Sequence, residues 1–493
     1  MMNVSKSKYL AYKKCPKLLW MLLYSNELGQ EDPNAKKRIE DGIEVGEYAK
    51  TYFSNTIDVT ARNEDRSLNI EEMIARTNDL LGKKDIVIAE ASFSVNGLFC
   101  SVDLLRNTDD GYEIYEVKAS TYVEQAHIMD AAFQKYVLEK AGLKISKVYI
   151  LHLNHSYIRK GDIYVNALLV KKQVDEDELF IDVFESIEKD LLLAEKITVT
   201  NHEPKQPLSQ SCKDCPYKIH CQKDLPSPNV LDLNGIRGGY DYLNTGIVTY
   251  NDVLLKQVKL NKRQKVQIEA YLKKQQRIVD VQEVQAFLKT IKYPIYHLDF
   301  ETIQFAIPPC DGAWPYEQIP TQYSLHIEFE DGYLEHREFL GTSIDPRREI
   351  AESLCQNIPM DACILAYNKA FECGRLEELA QLFPDLKRRL INMRDHVIDL
   401  IVPFKNGSFY FLDMGGSNSI KAVLPALYPN DPELDYHALP MVHNGSEAME
   451  IYPRMLKAPL IEKALIRESL LKYCRLDTLA MVKVLRKLKE SVK

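Results

Sequence analysis

The stretch YHLDFET, Tyr296–Thr302, decides how the second half of the chain is interpreted. A mostly apolar run from Tyr293 through Leu298 predicts a buried strand, with Asp299 and Glu301 near its end. Side chains alternate along a strand, so both carboxylates are expected on one face. Two such carboxylates repel unless they stay solvated, share a proton or bind a cation, and Mg²⁺ or Mn²⁺ suits oxygen ligands. A solvated strand end is the alternative for this short pattern alone.

The length of 493 residues exceeds what one hydrophobic core can hold, and roughly three domains are expected. A hydrophobic content of 45% and a charged content of 27% are typical of a soluble globular protein. The sequence has no apolar run of membrane-spanning length, and its start, MMNVSKSKYLAYKKCPKLLW, lacks the apolar core of a secretory signal. We therefore expect a cytoplasmic protein. Its ten cysteines favour metal ligation over disulfides where their spacing is tight.

The formal net charge of −8 does not indicate a nucleic-acid-binding protein, but it does not exclude one, because metal-dependent nucleases hold cations with carboxylates. Within residues 251–280, eight basic residues against three acidic ones give a local charge of +5. The basic residues are Lys256, Lys259, Lys262, Arg263, Lys265, Lys273, Lys274 and Arg277. A basic helix of this kind is more often a solvated helix face, and a surface that follows a phosphate backbone is the alternative.

Strand and helix patterns interleave in both halves of the chain, which predicts an α/β fold. In the first half, strands are expected at 85–95, 97–107, 111–120 and 147–154, and helices at 124–141 and 175–195. In the second half, a hairpin follows YHLDFET, and then come a helix at 346–357, a strand at 362–368, a helix at 372–382 and a long C-terminal helix. Prolines around 204–229 mark a boundary. The predicted domains are 1–225, a helical basic connector at 226–290, and 291–493.

Three polar residues are expected to meet on a hairpin of the first domain. Asp103 ends one strand, and Glu116 and Lys118 share a face of the next. The two acids suit a divalent ion that activates water, and the lysine suits the water or a phosphate. An exposed ion pair on a strand face is the alternative for Glu-x-Lys alone.

This order of motifs resembles the PD-(D/E)XK nucleases, specifically the RecB-type branch that includes CRISPR-associated exonucleases. The resemblance implies a restriction-endonuclease-like fold, with Asp103, Glu116 and Lys118 catalytic and the two acids as metal ligands.

A helix after the hairpin carries Gln134 and Tyr136 about where that branch has its Gln…Tyr signature. The branch also has a histidine or glutamate on an early helix. The segment RIEDGIEVGEYAKTYF has no histidine, and Glu47 or Glu44 is the nearest substitute.

The cysteines Cys212-x₂-Cys215-x₅-Cys221 have the spacing of metal ligands, and Cys15 is a candidate fourth. RecB-type nucleases carry a similar arrangement, one cysteine before the nuclease core and three after it, around a 4Fe–4S cluster. The resemblance therefore implies a 4Fe–4S cluster that joins the two ends of the domain. Zinc with four cysteine ligands is the alternative, as are reduced thiols without a ligand. The other cysteines are expected in the core: Cys100, Cys310, Cys355, Cys363, Cys373 and Cys474.

The C-terminal helix offers partners for the carboxylates of YHLDFET. Tyr473 and Asp477 are four residues apart and share a helix face. Between the two motifs, AYNKAFECGRLEEL predicts a strand that leads through Asn368 into a helix beginning near Glu372.

These three motifs resemble the DEDD exonucleases of the RNase H-like superfamily, in the subclass with a tyrosine in the third motif. The resemblance implies that Asp299, Glu301, Glu372 and Asp477 hold two cations and that Tyr473 positions water. One departure is that glutamate, as Glu372, replaces the second-motif aspartate. Asp399 in HVIDLIVPF is an alternative ligand.

The segment GGSNSIKAVLPAL, residues 415–427, adds a possible contact to substrate. Ser417, Ser419 and Lys421 are placed to approach phosphates, and a polar turn that caps the following helix is the alternative.

Both halves together resemble an uncharacterised bacterial family that fuses a RecB-type domain to a DEDD-type domain. The resemblance implies a nuclease with two hydrolytic sites that uses Mg²⁺ or Mn²⁺ and acts on nucleic acid, DNA rather than RNA, with 3′→5′ polarity at the second site. A catalytically degenerate nucleic-acid-binding or scaffold protein is the alternative. The sequence indicates neither protein partners nor a membrane association.

Overall fold

The computed structural model describes residues 4–493. Within them the chain forms two compact units. The first unit contains the chain up to Asp224 together with Phe305–Tyr316, and the second contains Leu225–Gln304 and Glu317–Lys493. The fold is mixed α/β in both units, as the sequence predicts.

The first unit is built on a seven-stranded sheet. Its strands are β1 (Val4–Ser5), β2 (Thr56–Asp58), β3 (Val87–Val95), β4 (Leu98–Thr108), β5 (Gly111–Lys118), β6 (Ile145–Leu153) and β7 (Leu169–Gln173). Its helices are α1 (Lys6–Lys14), α2 (Pro16–Tyr24), α3 (Ala35–Ala49), α4 (Ile70–Leu80), α5 (Gln125–Lys140), α6 (Val165–Leu168), α7 (Glu178–Thr198) and α8 (Lys218–Gln222).

The strand order of this sheet is β2-β3-β4-β5-β6-β7, with β1 parallel to β4. Strands β3, β4 and β5 form an antiparallel meander, and Asn96 and Gly97 supply the two positive φ angles of the tight first turn. Strand β6 is parallel to β5, and α5 makes the crossover. Apolar side chains of α5 and α7 form one core with the sheet, and those of α3 form a second core. The meander therefore sits between two helical layers.

The second unit is built on a five-stranded sheet and a two-stranded ribbon. Its strands are β8 (Arg277–Val279), β9 (Ile295–Ile303), β10 (Ile319–Glu328), β11 (Leu334–Leu340), β12 (Cys363–Ala366), β13 (Val397–Asp399) and β14 (Phe409–Phe411). Its helices are α9 (Gly239–Asn244), α10 (Tyr250–Leu255), α11 (Lys262–Leu272), α12 (Val281–Leu288), α13 (Arg347–Asn357), α14 (Ala370–Leu382), α15 (Lys387–Asp395), α16 (Val402–Lys405), α17 (Ile420–Leu427), α18 (Gly445–Lys457) and α19 (Leu460–Glu490).

The five strands are ordered β11-β10-β9-β12-β13, so the YHLDFET strand β9 is central. Its neighbour β10 is antiparallel and its neighbour β12 is parallel. Apolar side chains from α13, α14 and α15 pack with this sheet in one core cluster. The 31-residue helix α19 also packs against β9 and β10.

Two details of the sequence interpretation are wrong. Strand β9 is Ile295–Ile303, so it begins two residues later than the predicted apolar run and continues five residues beyond Leu298, and Asp299 and Glu301 lie within it towards its end. The basic stretch 251–280 is not one helix, because it runs through α10, α11 and β8, and Arg263 is buried at 3% exposure. The residues of the predicted connector, 226–290, group with the second unit.

None of the helices in the described part of the chain combines the length and the apolar character needed to span a membrane.

Leu298 should be critical for the stability of the second unit, because it is fully buried in the core beneath the carboxylates of β9. We expect Leu298→Ala to lower the free energy of unfolding by about 2–5 kcal/mol, since it leaves a cavity. Leu460→Ala, at a site 87% exposed at the start of α19, is the matched control and should change it by less than about 0.5 kcal/mol. Urea unfolding followed by circular dichroism measures both, and equal midpoints for the two variants would contradict this core assignment.

Candidate functional site

The central strand β9 presents two carboxylates on one face. Asp299 and Glu301 flank Phe300 in the sequence. The Phe300 side chain is 3% exposed and packs in the hydrophobic core on the other face of the strand. Helix α19 supplies a third group, because the ligand atoms of Asp299, Glu301 and Cys474 all lie within 4.8 Å of one another. The Cys474 sulfur is 3.7 Å from Asp299 Oδ2. Cys474 is buried, as predicted for a core thiol, but it also borders the carboxylates.

Tyr473 and Asp477 lie one helical turn apart on α19, and both are buried. Asp477 Oδ1 accepts a 2.6 Å hydrogen bond from the Tyr436 hydroxyl. The rings of Tyr436 and Tyr473 are 6.1 Å apart in an edge-to-face arrangement. Tyr436 therefore fixes the orientation of the Asp477 carboxylate.

Helix α14 contributes Glu372 in its first turn. This side chain is 2% exposed, and its Oε2 has no hydrogen-bond partner among the described residues. Burial, followed by the charge of Asp399, raises the pKa of Glu372 to about 8. Asp399 accepts hydrogen bonds from the backbone N–H of Asn368 at 2.9 Å and of Ile401 at 3.2 Å. Asp399 therefore fixes the turn before α14.

We call Asp299, Glu301, Glu372 and Asp477 the carboxylate cluster. Burial raises the pKa of Asp299 well above its usual range, and Asp477, Glu301 and Glu372 add to the rise. Burial and then Asp477 do the same to the pKa of Glu301. Burial also raises the pKa of Asp477, to about 6. These groups cannot all be ionised together unless a cation offsets their charge.

A lysine and a tyrosine border the carboxylate cluster. Lys421 Nζ, from the start of α17, donates to the Tyr473 hydroxyl at 3.3 Å and to the His443 carbonyl at 3.1 Å. Burial and then the charge of Asp477 raise the pKa of Tyr473 far above its usual value. Tyr473 therefore remains a neutral hydrogen-bond donor. The sequence interpretation placed Lys421 near phosphate, and the structure places it at the cluster.

A polar network fixes α19 against the sheet behind this site. Thr478 Oγ1 lies 2.7 Å from His326 Nδ1 and 2.7 Å from Ser324 Oγ. Ser324 Oγ also lies 3.0 Å from His336 Nε2. Burial lowers the pKa of His326 to about 3 and that of His336 to about 4. Both rings are therefore neutral in the folded protein near neutral pH.

The first unit has its own cluster of charges on the β4–β5 hairpin. Glu116 Oε1 lies 2.6 Å from Lys118 Nζ and 3.4 Å from Lys6 Nζ. Its Oε2 accepts a 2.6 Å hydrogen bond from Gln134. Asp130 on α5 pairs with Lys118 at 2.6 Å and with Lys6 at 3.1 Å. We call these residues, together with Asp103, the lysine–carboxylate cluster.

Asp103 adjoins this network through the backbone, because its Oδ2 accepts from the Val117 N–H at 2.6 Å. Burial and then Glu116 raise the pKa of Asp103 well above its usual range. Burial also disfavours the charged form of Glu116, but Lys118 and Lys6 outweigh it and hold the pKa of Glu116 below its usual range. Glu116 is therefore ionised and Asp103 is prone to hold a proton.

A cleft of about 540 Å³ opens beside Asp103. Glu47 on the early helix α3 lines it, as do Glu90 and Lys50. Lys50 Nζ is 2.7 Å from Glu47 Oε1. Glu47 thus lies in the same cleft as Asp103, whereas Tyr136 does not reach the cluster and packs against Phe184 with ring centroids 6.3 Å apart.

The four predicted cysteine ligands line one small cavity. Cys15 lies between α1 and α2, and Cys212, Cys215 and Cys221 come from the end of the first unit. Burial raises the pKa values of Cys215 and Cys221. The structure thus brings the four thiols together from segments about 200 residues apart in the sequence.

Similar proteins are uncharacterised. A family model for a domain of unknown function, DUF2779, matches residues 296–419, a segment that contains Asp299, Glu301 and Glu372 and ends before α19. An uncharacterised protein of Mycoplasma genitalium, MG366, is 28% identical over 215 residues, which cover 40% of this chain and 32% of that protein. UU173 of Ureaplasma parvum, also uncharacterised, is 28% identical over 167 residues, 31% of this chain and 24% of that protein. The chain spans about a third or less of the length of these curated relatives.

The histidines behind the carboxylate cluster predict a loss of stability in acid. In the unfolded chain a histidine titrates near pH 6.5, whereas in the folded protein His326 and His336 titrate at about 3 and 4. The unfolded state therefore binds more protons between these values, and their contribution to stability, complete above about pH 6.5, falls as the pH drops towards 4.

We expect His326→Gln to remove part of this dependence and to retain a polar side chain beside Thr478. Between about pH 7 and pH 5 the melting temperature of the wild type should fall by about 5 °C more than that of the variant. His155→Gln, at an exposed position, is the control and should follow the wild type. Parallel curves for all three proteins would show that His326 does not contribute.

Proposed function

We propose that the protein is a metal-dependent nuclease with two hydrolytic sites, and that its preferred substrate is DNA. The observation that supports this most strongly is the carboxylate cluster, in which side chains from α14 and α19 lie close enough to Asp299 and Glu301 on β9 to raise their pKa values. Four ionised carboxylates gathered in a largely buried site cost free energy, and either protons or a bound cation must offset their charge. The neighbouring lysine and neutral tyrosine suit a phosphodiester substrate.

The donor set fits hard divalent cations. Asp299, Glu301, Glu372 and Asp477 offer only oxygen ligands, which Mg²⁺ and Mn²⁺ prefer. The unpartnered Oε2 of Glu372 is a buried acceptor of the kind a cation would satisfy. Such ions, when bound, stabilise the attacking and leaving oxygens of phosphodiester hydrolysis.

The other residues of the second site have separate roles in this proposal. Tyr473, which stays protonated, donates a hydrogen bond that orients the attacking water. Lys421 neutralises a non-bridging phosphate oxygen, because its ammonium lies 3.3 Å from the Tyr473 hydroxyl and is not paired with a carboxylate among the described residues. Tyr436 holds Asp477 in place through their 2.6 Å hydrogen bond. An RNase H-like architecture of the exonuclease type is the fold that we propose for this unit.

In the first site, Asp103 and Glu116 hold the cation and Lys118 contacts the water or the phosphate. The meander with the following helix α5 supports a restriction-endonuclease-like architecture, and Gln134 positions Glu116. Lys6 and Asp130 are additional members, and their ion pairs keep Lys118 beside Glu116. The cleft that contains Asp103 and Glu47 is the proposed path for substrate.

Cys15, Cys212, Cys215 and Cys221 are proposed to hold a 4Fe–4S cluster, with zinc as the alternative. Their common cavity, formed by the two ends of the first unit, supports a shared ligand. Such a group would join those ends as a structural cross-link.

The proposal predicts separate losses of activity in two variants. With end-labelled single- and double-stranded DNA and RNA in Mn²⁺, Glu116→Gln should remove the products of the first site and Asp299→Asn those of the second, each by at least about 100-fold. Asp109→Asn and Asp331→Asn are matched controls, because both acids are exposed in hairpin turns, and should cleave like the wild type. Absence of cleavage by metal-loaded wild type on every substrate would leave a nucleic-acid-binding or scaffold protein instead.

The cysteine site predicts bound iron. Protein purified without oxygen should contain about four iron atoms per chain and show a broad visible absorption. Cys212→Ala should lose both, whereas Cys363→Ala, a control outside the cavity, should retain them. One zinc per chain, measured by elemental analysis, would indicate a Cys₄ zinc site in place of the iron–sulfur cluster. A chain without bound metal would contradict both the cluster and the zinc site.

A further inference from the structure

The second unit contains a cavity of its own, and none of the residues that line this cavity belongs to the carboxylate cluster. Its volume is about 350 Å³, near the lower end of the range for small-molecule pockets. Its lining includes Tyr250, Tyr271, Tyr410, Gln267, Asp232 and Gly415. We call it the tyrosine cavity.

The walls of the tyrosine cavity combine aromatic faces with fixed polar groups. Tyr271 and Tyr250 meet edge to face with ring centroids 5.4 Å apart, and Tyr271 is 40% exposed, which leaves ring surface free for stacking. The buried Gln267 donates to the Tyr250 hydroxyl at 2.8 Å and accepts from the Asn234 N–H at 3.2 Å. Flat rings with polar edges, as in nucleobases, match such walls.

The surface of the same helical segment carries unpaired positive charge. Between residues 251 and 280, the exposed cations that form no ion pair with another described residue are Lys259, Lys265, Lys274 and Arg277. Lys256 lies near Asp252, whose pKa is lowered by hydrogen bonds from Thr249 and then by the charge of Lys256. The acids nearby are already engaged: Glu269 pairs with Lys273 at 2.6 Å, and Asp280 pairs with Lys262 at 3.0 Å. An array of free cations complements the phosphates of a nucleic-acid strand.

The carboxylate of Asp232 indicates which part of a nucleic acid the tyrosine cavity can bind. Its carboxylate accepts from the Asn229 N–H at 2.8 Å, and its negative charge disfavours a phosphate inside the tyrosine cavity. A base therefore suits the cavity, and phosphates suit the exposed cations of the same helical segment. A base is free to enter in this way only when it is unpaired.

One short loop connects the tyrosine cavity to the carboxylate cluster. Gly415 lines the cavity, and Gly416 packs so closely that a side chain there would collide with Gln267 and the backbone of Asp232. Arg263 Nη2 donates to the Gly416 carbonyl at 2.7 Å. Lys421, five residues further on, contacts Tyr473. The loop thus forms a cavity wall at one end and borders the carboxylate cluster at the other.

We infer that the tyrosine cavity binds an unpaired base of a single-stranded nucleic acid whose phosphates lie on Lys259, Lys265, Lys274 and Arg277 and whose end reaches the carboxylate cluster. This deepens the nuclease proposal and rests on it for the role of that end. The occupant is a strand and not a free nucleotide, because only a strand uses both the cavity and the cations.

The test is binding in EDTA, where no cleavage occurs, by the full chain carrying Asp299→Asn. Fluorescence anisotropy with labelled DNA and RNA oligonucleotides of about 15 nucleotides should show Tyr271→Ala raising Kd about tenfold. Lys265→Ala/Lys274→Ala should also raise Kd and reduce the salt slope by about 0.7 per lost phosphate contact. The charge-matched control, Lys387→Ala/Arg388→Ala on α15, and the aromatic control, Tyr333→Ala, should bind like the parent.

Photo-crosslinking of 5-iodouracil oligonucleotides localises the base independently of affinity. Crosslinked peptides should come from residues 262–277 or 409–415. Crosslinks confined to other parts of the chain, unchanged affinity in both test variants, or equal binding of free mononucleotide would overturn the inference. This test measures binding and not cleavage. A protein that binds single strands in this way but cleaves no substrate in the separate digestion experiment would therefore contradict the nuclease proposal and leave the base site supported.

Discussion

Repulsion among carboxylates in a confined site is the constraint on which the second unit depends. Strand alternation places Asp299 and Glu301 on one face of β9, and the docking of α19 adds Asp477 beside them. Burial raises the pKa of all four carboxyl groups, and Asp477 and Glu372 further raise the pKa values of Asp299 and Glu301, so the folded chain must hold protons or a cation there. The surroundings resist relaxation, because α19 is fixed by buried contacts such as the Thr478–His326 pair. The folded chain therefore holds the carboxylates in positions that favour the binding of a cation.

The two clusters meet the same electrostatic problem in different ways. In the first unit, Lys6 and Lys118 lie within ion-pairing distance of Glu116, which is kept ionised. In the second, Lys421 donates to a tyrosine and a backbone carbonyl and forms no ion pair with the carboxylates in the described part of the chain. Its charge favours the ionised forms of Glu301 and Asp477, but burial outweighs it and keeps the pKa values of both groups above their usual range. The second cluster therefore has the greater need for a cation, whereas the first already carries internal counter-charges.

Local spacing predicts the parts of each site that one element supplies. Asp299 and Glu301 on a strand, or Tyr473 and Asp477 on a helix, share a face by geometry alone. Lys6 could not be found in this way, because it reaches Glu116 from 110 residues away. Cys474 was predicted to be a core residue because it is not at a ligand spacing from another cysteine. Its contact with Asp299 depends on how α19 packs against β9, which the sequence does not show. The basic stretch was taken as one helix because charge counts do not show where helices end.

The position of each lysine in the sequence explains why one was predicted as catalytic and the other only as a possible phosphate contact. Lys118 follows Glu116 on the same strand, so the pair is visible as a motif. Lys421 stands 52 residues before Tyr473 and reaches it through a loop whose path depends on Gly416 and Arg263. That loop is held by the helical segment, which the sequence interpretation treated as a connector. The chemistry of the carboxylate cluster therefore depends on packing in a part of the chain that carries none of its carboxylates.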